Sequence, residues 1–413
     1  MDRRSFVAAT TGLLTASSAG CLRLSGQESA TATPSEEGTG GETESVEEAP
    51  TPNDGGTTEE ESEPDTEIPD NISGAPMFRY DAANTGTNPD ETGPQSPVEL
   101  KWSFETRNTI ESPPAVVDST VYIGSDDDYL YAVSANDGSE RWSYDTGSAG
   151  RSSPAVVDGT VYVGGGSKVY ALSADDGTQE WAHSYQAWPG ASPAVVDGTV
   201  YVGGNDQKVH ALSAADGTER WEQWAGGQPV APTVVNDTVY VGGSSINALS
   251  ADDGTQQWES SIEGTAPTVV DGSIYVADGY KVYGVSAADG TELWSFDTGY
   301  TTTSTAVVDD TVYVGSASDD VHALSADDGT EQWSFDVGEP KWENRIATTA
   351  PTVIDGTVYV GTDEGTVFAV SAADGTEQWS YETDGNLSAP PVVVDGVIYV
   401  TTEDGMMYAL AEG

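Results

Sequence analysis

The chain has 413 residues, with 69 acids against 14 bases and a formal net charge of −55; only five of the bases are lysine. A chain this acidic has no basic patch to displace counterions from phosphates, which excludes nucleic acid as a partner. Its one cysteine, Cys21, excludes any disulfide within the chain.

The N-terminus reads as an export signal. Arg3-Arg4 is a twin-arginine pair, and the apolar run that follows to Ala19 is about a dozen residues, too short to span roughly 30 Å of hydrocarbon as a helix. Twin arginine points to export in the folded state. Ser18-Ala19-Gly20-Cys21 resembles a lipobox, which implies that Cys21 is lipidated and becomes the first mature residue. The expected location is the outer face of the cytoplasmic membrane, so the first segment is residues 1–21.

Residues 22–74 are low in complexity and rich in Glu, Thr, Ser, Gly and Pro. Between Leu22 and Asp70 there are 15 acids and a single base, Arg23. Such a composition buries too little apolar surface to offset its ordering entropy, so this segment is expected to be a disordered tether. As a flexible coil of about 53 residues it would reach about 40 Å.

From Ala75 the chain repeats, and residues 75–413 read as one body. An eleven-residue pattern, small-x-Ser-Ala-x-Asp-Gly-(Thr/Ser)-x-x-Trp, occurs in seven complete copies ending on Trp142, Trp181, Trp221, Trp258, Trp294, Trp333 and Trp379. Trp102 has no such copy before it, and the chain stops at Ala409-Leu-Ala-Glu-Gly413 with no Trp after it. Each unit of 36 to 46 residues reads as four short strands. In the second unit these begin at Ser153-Pro-Ala-Val-Val157, Thr160-Val-Tyr-Val-Gly164, Lys168-Val-Tyr-Ala-Leu172 and Thr178-Gln-Glu-Trp181, with Asp-Gly turn signals between the first pair and the last. No segment carries a helical period of any length.

Counting the (Val/Ile)-Tyr-(Val/Ile) second strands, from Tyr122 to Tyr399, gives eight units. The expectation is an all-β fold: an eight-bladed β-propeller of four-stranded antiparallel blades. The eighth unit has three strands of its own, and Glu99-Leu-Lys-Trp102-Ser-Phe104 supplies the fourth, closing the ring. Pro114, Pro154, Pro193, Pro232, Pro267, Pro351 and Pro391 recur four residues before an Asp or Asn, with Thr305 in the eighth such place. Proline cannot donate to a ladder, so these mark a strand start or free edge, here the strand nearest the central channel.

The eleven-residue pattern resembles the tryptophan-docking motif of the PQQ-like repeat family of quinoprotein-type propellers. Pro76-Met-Phe-Arg-Tyr-Asp-Ala-Ala-Asn-Thr-Gly86 resembles that family's lead-in segment. The family is similar in fold to quinoprotein alcohol dehydrogenases and to the outer-membrane assembly lipoprotein BamB. The resemblance implies structural docking roles for Trp102, Trp142, Trp181, Trp221, Trp258, Trp294, Trp333 and Trp379. It implies PQQ and Ca²⁺ as cofactors only if the dehydrogenase chemistry is kept. The vicinal cysteine pair of those enzymes is absent, and no residue of their channel can be matched position by position. The acidic composition and scarce lysine also resemble proteins of salt-loving archaea; at molar salt a Debye length of about 3 Å would screen the self-repulsion.

No catalytic residue and no metal site is assigned. His210 and His322 stand where other units have Tyr131, Tyr170, Asn247, Tyr283, Phe368 and Tyr408, so they read as substitutes for a packing residue, and His183 follows Trp181 in an outer strand. Asp126-Asp127-Asp128 lacks the spaced ligands of a calcium loop and reads as solvated turn acids.

Trp188, Trp224 and Trp342 break the register, each at or near a connection between units. With Lys341 and Arg345, they are the candidate binding face; Arg107, Arg151 and Tyr300 lie on comparable connections. Aromatics and arginine on the loops of a rigid scaffold are what interface hot spots are made of. The expected function is a monomeric, lipid-anchored, non-catalytic scaffold that binds a protein, a small molecule or a glycan. The alternative is a PQQ- and Ca²⁺-dependent alcohol or sugar oxidoreductase.

Overall fold

In a computed structural model, residues 74–413 are described, apart from 148, 185–191, 228–229, 301–302, 318–319 and 339–346. The strands form eight four-stranded antiparallel sheets, and no helix occurs among the described residues. Each sheet is a blade, and together they make an eight-bladed β-propeller. Blade 1 consists of Ala115–Val117, Thr120–Gly124, Tyr129–Ser134 and Glu140–Asp145, in that order from the axis outward. Blades 2 to 7 repeat the order. Blade 8 is built from Val392–Val394, Val397–Thr401, Met406–Glu412 and, outermost, Val98–Glu105. The N-terminal strand pairs antiparallel with the last one, with Val98 opposite Glu412 and Glu105 opposite Met406.

The innermost strands are only three residues long, and each begins just after the recurring proline rather than before it. In blade 1, Val117 and Thr120 flank a two-residue turn, so the next pair, Val116 and Val121, does not exchange ladder bonds. Val116 therefore points its N–H and C=O at the axis.

That inner edge is not free. Residues 75 to 86 make one pass around the axis and occupy it in blade order. Val116 bonds to Ala75 in both directions (2.8 Å each). The amides of Val156, Val234, Val269, Val307 and Val353 donate to the carbonyls of Pro76, Ala82, Ala83, Thr85 and Gly86 at 2.6–3.1 Å. In blade 8, Val393 N–H donates to the Tyr80 hydroxyl at 2.6 Å. The lead-in segment thus satisfies backbone groups that a buried edge would otherwise leave unpaired.

Side chains of this segment staple the ring further. Buried Arg79 donates to the carbonyls of Pro351 (2.8 Å) and Thr305 (2.6 Å), joining blades 7 and 6. Asn84 donates to Thr233 Oγ1 (2.6 Å) and to the Pro267 carbonyl (3.2 Å), joining blades 4 and 5.

The eleven-residue pattern works as a plug and a socket. Each indole N–H reaches across to the alanine carbonyl of the next copy: Trp102 to Ala135, Trp142 to Ala174, Trp181 to Ala214, Trp221 to Ala251, Trp258 to Ala287, Trp294 to Ala326 and Trp333 to Ala372, all at 2.8–3.0 Å. The ring of each lies on the glycine of that next copy. Gly217, for example, has φ +69°, and a Cβ there would come within 2.5 Å of Trp181. Trp379 has no such copy ahead of it, and its N–H points instead at the Pro94 carbonyl, 3.4 Å away. The N-terminal segment therefore gives blade 8 both its fourth strand and a substitute socket.

Candidate binding site at the channel mouth

Two kinds of loop rise on one face of the ring: the turns between second and third strands, and the connections from one blade to the next. They are laced together by backbone hydrogen bonds. Asp126 N–H donates to Thr109 O, Ala225 to Gln207, Thr298 to Tyr280, Ala317 to Tyr300 and Asp363 to Ala347, all at 2.9–3.1 Å. The connections then descend toward the axis through a Ser/Thr/Ala-rich stretch into the inner prolines. Small side chains are needed there because eight chains converge on one axis.

Their convergence leaves a cup of about 330 Å³, with contributions from blades 1, 2, 3, 6, 7 and 8. Phe78 of the lead-in segment is among its lining residues. Hydroxyls dominate the wall. Two of them, and Ser152 beside the wall, tie the connection to the second strand of the blade it enters: Ser152 Oγ accepts from Gly164 N–H (3.1 Å), Thr303 Oγ1 from Gly315 (3.1 Å) and Thr349 Oγ1 from Gly361 (2.9 Å). Ser112 and Ser153 differ. Both are buried, both line the cup, and their Oγ atoms have no hydrogen-bond partner. A buried hydroxyl without a partner costs about 1–3 kcal/mol.

At the rim, Arg151 Nε donates to Glu111 Oε2 at 2.8 Å. Asp363 also lines the cup, and burial raises its pKa despite the hydrogen bond from Ala347 N–H. Around the cup the same face exposes aromatic rings. Trp224 is 51 % exposed, its N–H directed to Gln207 Oε1 at 3.4 Å. Tyr280 and Tyr300 pack on each other at 5.6 Å between centroids and remain exposed. Arg107 sits 6.0 Å from the Tyr129 ring.

Of the binding residues expected from sequence, Trp224 stands on this face but outside the cup. Trp188, Lys341, Trp342 and Arg345 lie outside the described residues. The cup residues that follow those segments, Ser192 and Ala347–Ala350, are described and do line it. Sequence reasoning missed the cup itself and the two serines. A visible sign existed: Ser or Ala stands just before five of the seven inner prolines, and one residue further back at Pro114 and Pro391.

The histidines sit in packing positions of outer and third strands. His183 Nδ1 lies 2.9 Å from Gly217 O, His322 Nδ1 2.9 Å from Glu331 Oε1, and His210 lies between Asp206 and Glu219.

A model of the family described as outer membrane protein assembly factor BamB matches residues 99–229, 167–264, 224–356 and 317–413. The chain belongs to this family. BamB from Moraxella catarrhalis superposes with a TM-score of 0.64 at 20% identity, covering 76% of this chain and 98% of that one. A quinohemoprotein alcohol dehydrogenase from Pseudomonas putida reaches 0.69 at 16% identity, covering 83% and 80%. A computationally designed protein, Ika8, reaches 0.65 at 15%, covering 76% and 99%. At these identities the likeness shows the fold alone, and the designed protein has that fold without any natural activity. No curated protein matches the chain by sequence.

The described residues of the mouth do not fit the quinone cofactor that the family resemblance raised as an alternative. PQQ is a tricarboxylate. Among the described cup residues the cation is Arg151, already engaged by Glu111, and the nearby Asp363 adds negative charge. These described residues repel a polyanion more than they hold one.

Proposed function

We propose that this BamB-family chain is a non-catalytic binding scaffold, exported and held at the outer face of the cytoplasmic membrane by lipidated Cys21. Its channel-mouth face receives a segment of a protein partner. The observation that carries this reading is the serine- and threonine-lined cup at the channel mouth, with Trp224, Tyr280 and Tyr300 exposed on the same face. A cup of about 330 Å³ suits one or two side chains and the backbone of an inserted loop, and the exposed aromatics on the same face suit the flanking contact. Family membership supports the same direction, since the family is described by a role in protein assembly.

A photo-crosslinking residue in place of Arg151, in native membranes, is expected to trap one discrete protein. Ser304→Trp, which fills the cup from a half-buried position, is expected to abolish the crosslink while leaving the melting temperature unchanged. If the crosslink persists in Ser304→Trp, the cup is not the receiving site. Cys21→Ala is expected to release the chain from the membrane. The oxidoreductase reading has its own test: protein soaked with PQQ and Ca²⁺ is expected to retain no quinone absorbance and to oxidise neither alcohols nor sugars.

A further inference from the structure

Blade 3 carries a cluster that the channel-mouth reading does not use. His210, on the third strand Lys208–Ser213, faces Glu222 across the ladder on the outer strand Glu219–Trp224. The register shift between Ala211 and Leu212 brings Glu219 to the same ring. His210 is buried, with Nδ1 2.9 Å from Glu219 Oε1 and 3.9 Å from Glu222 Oε2, and Nε2 3.0 Å from Asp206 Oδ2. Both ring nitrogens therefore face carboxylates. A neutral imidazole has one N–H and can donate to only one of them.

In blade 1 the equivalent ring is Tyr131, whose hydroxyl donates to Asp127 at 2.7 Å, the position that Asp206 holds in blade 3. In blade 6 His322 Nδ1 lies 2.9 Å from Glu331 Oε1, so there the N–H sits on Nδ1. In blade 3 carboxylates meet both ring nitrogens, and a cation at Nδ1 would displace that proton while Nε2–H keeps Asp206. With that proton displaced, Nδ1 and one oxygen each of Glu219 and Glu222 are three electron-pair donors within 4.8 Å of one another. Lys208 Nζ takes the far oxygen of Glu222, Oε1, at 2.6 Å and leaves Oε2 free for the cluster. Arg220 is turned away, donating to Thr199 Oγ1 and Gly198 O. With three carboxylates and one lysine, the cluster has a charge of about −2 when its acids are ionised.

We propose that His210 Nδ1, Glu219 and Glu222 form a binding site for a divalent cation of the zinc class. Asp206 acts as the outer carboxylate that orients the imidazole. Zinc takes nitrogen at 2.0–2.1 Å and carboxylate oxygen at 2.0–2.2 Å, which puts tetrahedral donors about 3.4 Å apart. The observed separations of 2.9 and 3.9 Å bracket that figure, and all three donors lie within 4.8 Å of one another. A histidine nitrogen among the ligands favours Zn²⁺ or Co²⁺ over Ca²⁺ or Mg²⁺. Two glutamates exposed to solvent leave the fourth position open to water or to a donor from a partner.

The repeat provides its own control. Blade 6 has His322 with Glu331 at 2.9 Å, but Ser334 stands where blade 3 has Glu222, and Asp320 where it has Lys208. That blade lacks the third ligand.

The test is Co²⁺ titration of the chelator-dialysed full chain in about 1 M KCl, where loose binding to surface acids is screened, with Zn²⁺ and Ca²⁺ as competitors. One equivalent of Co²⁺ is expected to develop visible d–d absorption, displaced by Zn²⁺ and not by equimolar Ca²⁺. Glu222→Ser, which copies blade 6 at an exposed position, is expected to weaken binding by about 100-fold or more. His210→Gln is expected to abolish the band, and His322→Gln to leave it intact. The proposal is overturned if no one-to-one saturation occurs, if Glu222→Ser binds like the parent, or if His322→Gln removes the band. It is overturned equally if ring-nitrogen NMR finds His210 doubly protonated at pH 7 and unmoved by one equivalent of Zn²⁺.

Discussion

Removing the indole of Trp102 tests ring closure directly. Trp102 belongs to the N-terminal strand, yet it is 8 % exposed, and its N–H meets Ala135 of blade 1 at 2.8 Å over Gly138. In a closed ring it is equivalent to an interior tryptophan such as Trp181, also 8 % exposed and docked on Ala214 at 2.8 Å. Burial of about 150–250 Å² at about 25 cal/mol per Å² gives an upper bound of about 4–6 kcal/mol. Cavities left by Trp→Ala in cores cost about 3–5 kcal/mol, the better guide here. For a body of roughly 340 residues the unfolding entropy is about 0.7 kcal/mol per degree, so the expected fall in melting temperature is about 4–7 °C. Thermal melts of parent, Trp102→Ala and Trp181→Ala, at one fixed salt concentration, make the comparison. Equal falls support closure. A Trp102→Ala protein melting within a degree of the parent, while Trp181→Ala falls by the full amount, would refute it.

Two further outcomes follow from the sockets and the plug. Gly217→Ala places a Cβ against the Trp181 ring at a backbone angle that side chains rarely adopt. It should cost about 1–3 kcal/mol, whereas Gly159→Ala, with the same sign of φ and open space around it, should cost less; denaturant midpoints separate them. Asp81, buried in the lead-in segment, is pushed up from 3.8 to about 6 by desolvation, against the opposing bonds from Thr85 and the Arg79 charge. Its folded pKa exceeds its unfolded one, so the folded state binds the extra proton, and this group's contribution to stability falls as pH rises from about 4 to about 6. The difference amounts to about 3 kcal/mol. Asp81→Asn should remove that slope when its pH–stability profile is subtracted from the parent's. Identical profiles would show that Asp81 does not titrate this way.

The repeat made most of the architecture legible from sequence. Eight Tyr-centred strands, seven Asp-Gly-x-x-x-Trp copies and one spare Trp are enough to count blades and to assign Val98–Glu105 to blade 8, because strand period, turn chemistry and a closing ring are all local or arithmetical facts. The inner strands were harder. Their prolines mark the channel side, but the strands start one residue later and their edge is covered, since the covering chain comes from residues 75–86, up to about 300 residues away in sequence. The blade 3 cluster lies between these cases. His, Glu and Glu occur together at those three register positions in no other blade, yet only the structure brings His210 Nδ1 close to both acids.

The sequence by itself therefore determined the unit, its number and the way the ends meet, because those follow from short-range patterns repeated many times. Tertiary structure alone decided what stands at the axis. Where eight blades converge, each contributes a fragment too short to signal anything: a serine before a proline, a valine with a spare amide, an arginine in a lead-in. Only convergence makes these a stapled plug on one side and, on the other, a cup holding two hydroxyls without partners.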